Sequence, residues 1–300
     1  MLTGIHFLLT YACTYECDHC FLYCGPWTEG TFTGERLGQA FAQIAAVESI
    51  TNVYFEGGEP FLFYPLMVAG VRMARAAGLD AGIVTNCYWA TSADDAKLWL
   101  EPFASIGLSD LSLSDDAFHH SEDTVSPAEY ARTAARELGI PMGTICIEAP
   151  HVRDTTEDSS EKGAPIIGGD VRFRGRAVDK LTEGLPRRPA DTFTSCPDED
   201  LENPGRVHVD PFGNVHLCQG LCIGSMWKTP LAALLRSYDP ATHPICSPLL
   251  RGGPAALARE CGVDTEDGYV DACHLCYEVR RAVRERHPEY LTPPSVYGIT

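Results

Sequence analysis

Three cysteines, Cys13, Cys17 and Cys20, stand at the spacing C-x3-C-x2-C directly after the apolar run Ile5-His6-Phe7-Leu8-Leu9. Three thiolates on one short loop can hold three irons of a 4Fe–4S cluster and leave the fourth iron without a protein ligand, open to a small molecule. A tetrahedral zinc site is the competing use of clustered cysteines, and Cys24, four residues past Cys20, is then the candidate fourth ligand.

A second motif bears on that choice. Residues 52 to 56, Asn-Val-Tyr-Phe-Glu, read as a short buried strand running straight into Gly57-Gly58-Glu59-Pro60. Two glycines let the backbone turn tightly and leave its polar groups open to a ligand, Pro60 stiffens the exit, and Glu59 adds one carboxylate. Such a loop suits an ammonium group. Taken alone, Gly-Gly-Glu-Pro is compatible with any strand-to-helix turn. Placed one strand-helix interval after the cysteine loop, it makes a pair that resembles the radical S-adenosylmethionine (SAM) superfamily.

The resemblance implies roles for particular residues. Cys13, Cys17 and Cys20 would bind the cluster, His19 would lie by the adenine, and Gly57, Gly58 and Glu59 would hold the methionine amino group of SAM. Reductive cleavage of SAM would give a 5′-deoxyadenosyl radical that abstracts a substrate hydrogen, with an external donor such as flavodoxin or ferredoxin supplying the electron. The protein positions and shields, and the cofactor supplies the reactivity.

Strand-like stretches near 4–10, 52–56, 80–84, 109–114, 141–147 and 166–173 alternate with helix-like stretches near 34–49, 66–77, 93–106 and 127–138. Ser126-Pro127-Ala128-Glu129 is a capping box with proline at the first helical position, and Gly139 is its C-terminal stop. Repeated βα units imply an α/β fold with a parallel sheet, and six of them suit the partial (β/α)6 TIM-like barrel typical of the superfamily. In such barrels functional residues gather at the C-terminal ends of strands. Leu111 to Asp116 resembles the fourth-strand segment that the family uses near the ribose and methionine of SAM, which would assign Ser112, Ser114 and Asp115 to SAM.

Cys87 and Cys146 are each either small buried hydrophobes or thiols that donate hydrogen to a substrate radical, as in peptide epimerases of the superfamily. Period two along 144–148 puts Thr144, Cys146 and Glu148 on one face and the two isoleucines on the other. The polar stretch 151–165 reads as a long loop, either covering the barrel mouth or simply solvated.

Gly175-Arg176-Ala177 resembles the segment that often precedes the accessory cluster domain of these enzymes. Proline and charge density rise across 183–205, so the expected units are a core over 1–184, a small cysteine-rich α+β unit over 185–282 and a tail over 283–300. Two alternating runs around Asp210-Pro211-Phe212-Gly213-Asn214 signal a hairpin that delivers Cys218. Cys196, Cys218 and the pair Cys273-x2-Cys276 resemble the short "twitch" form of the SPASM domain, which would make these four the ligands of an auxiliary 4Fe–4S cluster. A zinc ribbon is the alternative, and Cys222, Cys246 and Cys261 stay unassigned. Arg280, Arg281, Arg284 and Arg286 read as a solvated face of the helix after Cys276.

A net charge of -18 disfavours nucleic acid as a partner, which needs basic surface. No run of 18 apolar residues and no basic leader occurs, so neither a membrane span nor a signal peptide is expected. Thirteen cysteines in a βα chain point to metal in a reducing compartment, the cytoplasm. The first strand begins near residue 4, which reads as no room for a fused leader-binding module and favours a small-molecule substrate; a peptide substrate stays open. A non-catalytic iron–sulfur or zinc electron carrier is the reading from another class. The Gly-Gly-Glu-Pro turn argues against it.

Overall fold

The alternation of strand and helix is realised in the computed structural model, which describes residues 1–120, 125–152 and 167–299. Strands Gly4–Thr10 (β1), Asn52–Gly57 (β2), Asp80–Thr85 (β3), Asp110–Ser114 (β4) and Met142–Ile145 (β5) pair in parallel in that order. Helices Gly34–Ile44 (α1), Tyr64–Ala76 (α2), Ala93–Ile106 (α3) and Pro127–Leu138 (α4) connect them. α1 buries Leu37, Ala40, Phe41 and Ile44, the i, i+3, i+4, i+7 stripe of an amphipathic helix. Thr33, Ser92 and Ser126 each accept a backbone N–H at a helix start, and Gly107 and Gly139 close α3 and α4 in the left-handed conformation.

The sixth parallel strand comes from an unexpected place. Residues 167–173 do not join the parallel sheet; Ile167–Gly168 (β7) instead pairs antiparallel with His151–Val152 (β6). Gly169 ends the extended run, because its φ of +85° is left-handed and a Cβ there would meet the Ala149 carbonyl at 2.7 Å. Of the expected polar loop over 151–165, His151 and Val152 form β6, and residues 153–166 lie outside the described residues.

Arg206–Val209 (β8) lies parallel to β1 on its other edge, with His208 opposite His6. Asn214–Cys218 (β9) and Leu221–Ser225 (β10) continue antiparallel, giving one 8-stranded sheet in the order β10-β9-β8-β1-β2-β3-β4-β5. The hairpin between β8 and β9 forms where expected, its turn held by Asp210, which accepts from the N–H groups of Phe212 and Asn214. The sheet thus runs unbroken across residue 185.

After α5 (Arg176–Leu181) come helices α6 (Leu231–Ser237), α7 (Cys246–Cys261, kinked at Gly252 and Gly253) and α8 (Ala272–Val283). Period two divides the strands cleanly. Ile5, Phe7, Val53, Phe55, Ala81, Ile83, Leu111 and Leu113 are fully buried on the helix-covered face, each large side chain worth about 1.5–3 kcal/mol. The opposite face carries His6, Tyr54, Glu56, Val84, Ser112 and Ser114, less completely buried. Among the described residues no helix is long and apolar enough to cross a membrane.

Candidate active site

The loop after β1 and the turn after β2 meet at the C-terminal end of the sheet, around a cavity of about 260 Å³. Cys13, Cys17, Cys20 and His19 line it from the first loop, and Gly57 and Gly58 from the second. The glycines are needed for approach. Gly57 has φ +124°, and a Cβ on Gly58 would sit 2.0 Å from the Ala12 carbonyl oxygen. The Gly58 and Glu59 N–H groups donate to the carbonyls of Thr10 (2.7 Å) and Ala12 (2.8 Å), locking the turn onto the cysteine loop.

Burial raises the Cys13 thiol to about 11 and Cys17 to about 12, so both thiolates call for a cation to compensate them. Cys20 is shifted the other way, chiefly by a hydrogen bond from Cys24. Cys24 lines the cavity as well; the three motif sulfurs, beside a glycine turn lining the same space, fit a three-thiolate cluster with an iron open to SAM. The two loops, brought to one cavity, keep the motif pair that resembles radical SAM proteins.

No protein-family model matches it. The putative peptide biosynthesis protein YydG of Bacillus subtilis (strain 168) is 22% identical over 226 residues, 73% of this chain and 69% of that protein. Among solved structures, BtrN in complex with AdoMet and 2-DOIA gives a TM-score of 0.49 at 13% identity, covering 80% of this chain and 83% of that one. Streptococcus suis SuiB bound to S-adenosylmethionine gives 0.41 at 11% identity, covering 99% and 77%.

Several sequence expectations find different surroundings in the structure. Glu59 does not line the cavity. Its fully buried carboxylate accepts from the N–H groups of Phe61 (2.9 Å) and Asn86 (2.7 Å) and from the Thr85 hydroxyl (2.9 Å), which fixes the ends of β2 and β3 relative to each other. Burial pushes this carboxyl up to about 7 against those hydrogen bonds. Asn86, positioned in this way, donates to Thr14 Oγ1 (3.0 Å) and lies 3.5 Å from Cys13 Sγ. Ser114 lines the cavity, whereas Ser112 donates to Asp110 (2.9 Å) and Asp115 is bound by Arg132 (2.7 Å) and Ser126 (2.7 Å).

Cys146 is exposed and Cys87 is buried in the apolar core; neither lines the cavity. The interior thiol expected at 146 is replaced by Ile145 and Ile147, which do line it. Register explains the reversal. Ile145 pairs with Ser114 on the cavity face, while Thr144 pairs with Leu113 on the helix face and takes a hydrogen bond from Arg132.

Residues far along the chain hold the cysteine loop. Arg176 donates to the carbonyls of Cys17 (2.9 Å) and Cys24 (2.8 Å), and its N–H donates to Cys20 O (2.9 Å). Gly175 allows this contact, since a Cβ there would meet Cys20 O at 2.6 Å. Sequence offered Gly175-Arg176 only as a resemblance. Their clamping role depends on a contact spanning about 150 positions.

His19 packs against Phe118 and His119, with ring centroids 4.5 and 5.3 Å away, and its buried Nδ1 has no partner. That orphaned nitrogen at the cavity wall fits a hydrogen-bonding ligand such as a nucleobase. Of the four arginines expected on a solvated face, Arg280 is fully buried: it donates to Gln219 O (3.0 Å) and lies over Tyr297. Arg174, also buried, points to Cys218 Sγ (2.7 Å), Gln219 Oε1 (2.9 Å) and Glu199 (3.3 Å).

Proposed function

We propose that this chain cleaves SAM reductively and uses the resulting 5′-deoxyadenosyl radical to abstract hydrogen from a peptide substrate. The observation that carries the reading is the convergence of Cys13, Cys17, Cys20, Gly57 and Gly58 on one cavity, whose residues would hold the cluster and SAM side by side. When bound, the cluster supplies the electron that breaks a carbon–sulfur bond of the SAM sulfonium, leaving methionine and the radical. Asn86 and Arg176 hold the ligand loop, Glu59 fixes Asn86, and Ile145, Ile147, Val84 and Val171 give the radical's surroundings an apolar wall. The electron would come from an external one-electron protein donor.

The description of YydG as a peptide biosynthesis protein supports a peptide over the small-molecule alternative. For residues 185–282 we propose an auxiliary 4Fe–4S cluster on Cys196, Cys218, Cys273 and Cys276. Cys276 lies in the fields of Cys218 and Cys196, and burial raises it to about 11. Arg280, buried beside this set, has no carboxylate within ion-pairing distance among the described residues, and a buried guanidinium requires an anion. A cluster held by four thiolates carries that negative charge. Cys222 is otherwise engaged, 3.2 Å from His216 Nδ1 and 3.6 Å from Thr292 O.

Anaerobically reconstituted protein, given dithionite and SAM, should form 5′-deoxyadenosine, and electron paramagnetic resonance should show one signal that SAM perturbs and one that it does not. Replacing Cys13, Cys17 and Cys20 by Ala should remove only the former. Intact clusters with no 5′-deoxyadenosine would return the chain to the electron-carrier reading.

A further inference from the structure

On the cavity-side face of the sheet, three adjacent strands bring together two imidazoles and a carboxylate. His6 (β1) and His208 (β8) are direct register partners, and Glu56 (β2) projects from the same face. His6 Nδ1 lies 3.2 Å from Glu56 Oε2, and His208 Nε2 lies 3.0 Å from Glu56 Oε1. The three donor atoms all fall within 4.8 Å of one another. We propose that His6, Glu56 and His208 form a binding site for a divalent first-row transition-metal ion, separate from both cysteine sets.

The donor set is the first argument. Two imidazole nitrogens and a carboxylate are ordinary ligands for zinc or for non-haem iron(II), and in a tetrahedral zinc site neighbouring donors stand about 3.3 Å apart. The two histidine–carboxylate separations are already close to this and the third is at most 4.8 Å, so an ion between the rings needs only small side-chain movements.

Charge is the second argument. Glu56 is only about a fifth exposed, and no Lys or Arg pairs with it among the described residues; its charged or polar neighbours are the two imidazoles. An ion there replaces the two ring protons and balances the carboxylate.

Rigidity is the third. Backbone pairing of β8, β1 and β2 holds the donors in place before any ion arrives, and His6 is further fixed by stacking on Tyr54 at 4.8 Å.

The position also gives the ion a consequence. His208 belongs to the strand contributed from beyond residue 185, and His6 and Glu56 to the amino-terminal strands, so the ion would staple β8 onto the sheet. Three protein ligands leave a coordination position open, as in exchangeable rather than purely structural sites. Because Glu56 also lines the SAM-side cavity, that position is accessible to water or to an oxygen or nitrogen donor of a bound molecule.

Crystals of the anaerobically cluster-loaded protein, soaked with zinc chloride, test the site. Anomalous maps from data above and below the zinc absorption edge separate zinc from iron. The expected result is a zinc peak between the three side chains, together with a zinc-dependent rise in Tm that is lost in both His208→Ala and His6→Gln. Zinc found only at cysteines, or none at all with the three side chains still hydrogen-bonded, overturns the proposal. The map uses unmodified protein, so it decides even if a variant fails to fold.

Discussion

Gly58 shows how one atom can decide whether the site assembles. A Cβ there would lie 2.0 Å from backbone oxygen, which no rotamer change relieves. Gly58→Ala should therefore separate the turn from the cysteine loop, lower stability by about 1–3 kcal/mol or more, and abolish the SAM-perturbed resonance signal while sparing the second one; iron content and spectra of the purified variant read this directly. Glu59 makes a pH-dependent prediction. Its carboxyl, raised to about 7 by burial, favours the protonated form in the folded protein. Its stabilising contribution is complete below the unfolded value near 4.5 and is lost as pH rises through 7, on the order of 3 kcal/mol in all. Denaturant titrations of Glu59→Gln between pH 5 and 8 should show a flatter profile than wild type. Sequence marked Gly57, Gly58 and Glu59 as special, and the structure adds a local reason that sequence did not show. The glycines permit backbone contact, and the carboxylate ties two strand ends together, because the partners at Ala12 and Asn86 are tertiary neighbours.

At the scale of elements, periodicity and capping were informative and placement was not. α3 spans its expected residues, and α4 those expected from its caps, since capping signals are local hydrogen bonds. The cavity face of β5 could not be read locally, because alternation says which residues share a side and only register against β4 says which side faces the cavity. α8 gives the same lesson with charge. Its arginine run reads as a solvated face, yet Arg280 is buried among the cysteines proposed to carry the auxiliary cluster. Removing a buried positive charge beside an anionic cluster makes adding an electron harder. Arg280→Gln should shift the auxiliary cluster to lower reduction potential in a resonance-monitored titration and leave the SAM-perturbed signal where it was; an unchanged potential would place the guanidinium's influence elsewhere.

For the whole molecule, the decisive feature is the parallel pairing of β1 with β8. A fragment ending at residue 184 would leave β1 with an unpaired edge beside the cysteine loop, an invitation to aggregate. Such a fragment should elute as aggregate, or fail to be recovered in soluble form, while the full chain does not; size-exclusion chromatography checks this. The fold class, the first five strands and the four helices between them were legible from sequence, because each rests on local spacing, periodicity or capping. The identity of the sixth parallel strand, the clamp of Gly175 and Arg176 on the cysteine loop, and the meeting of His6, Glu56 and His208 were settled by tertiary structure alone. Each joins residues many positions apart, and their proximity is fixed by strand order and register, which no local pattern encodes.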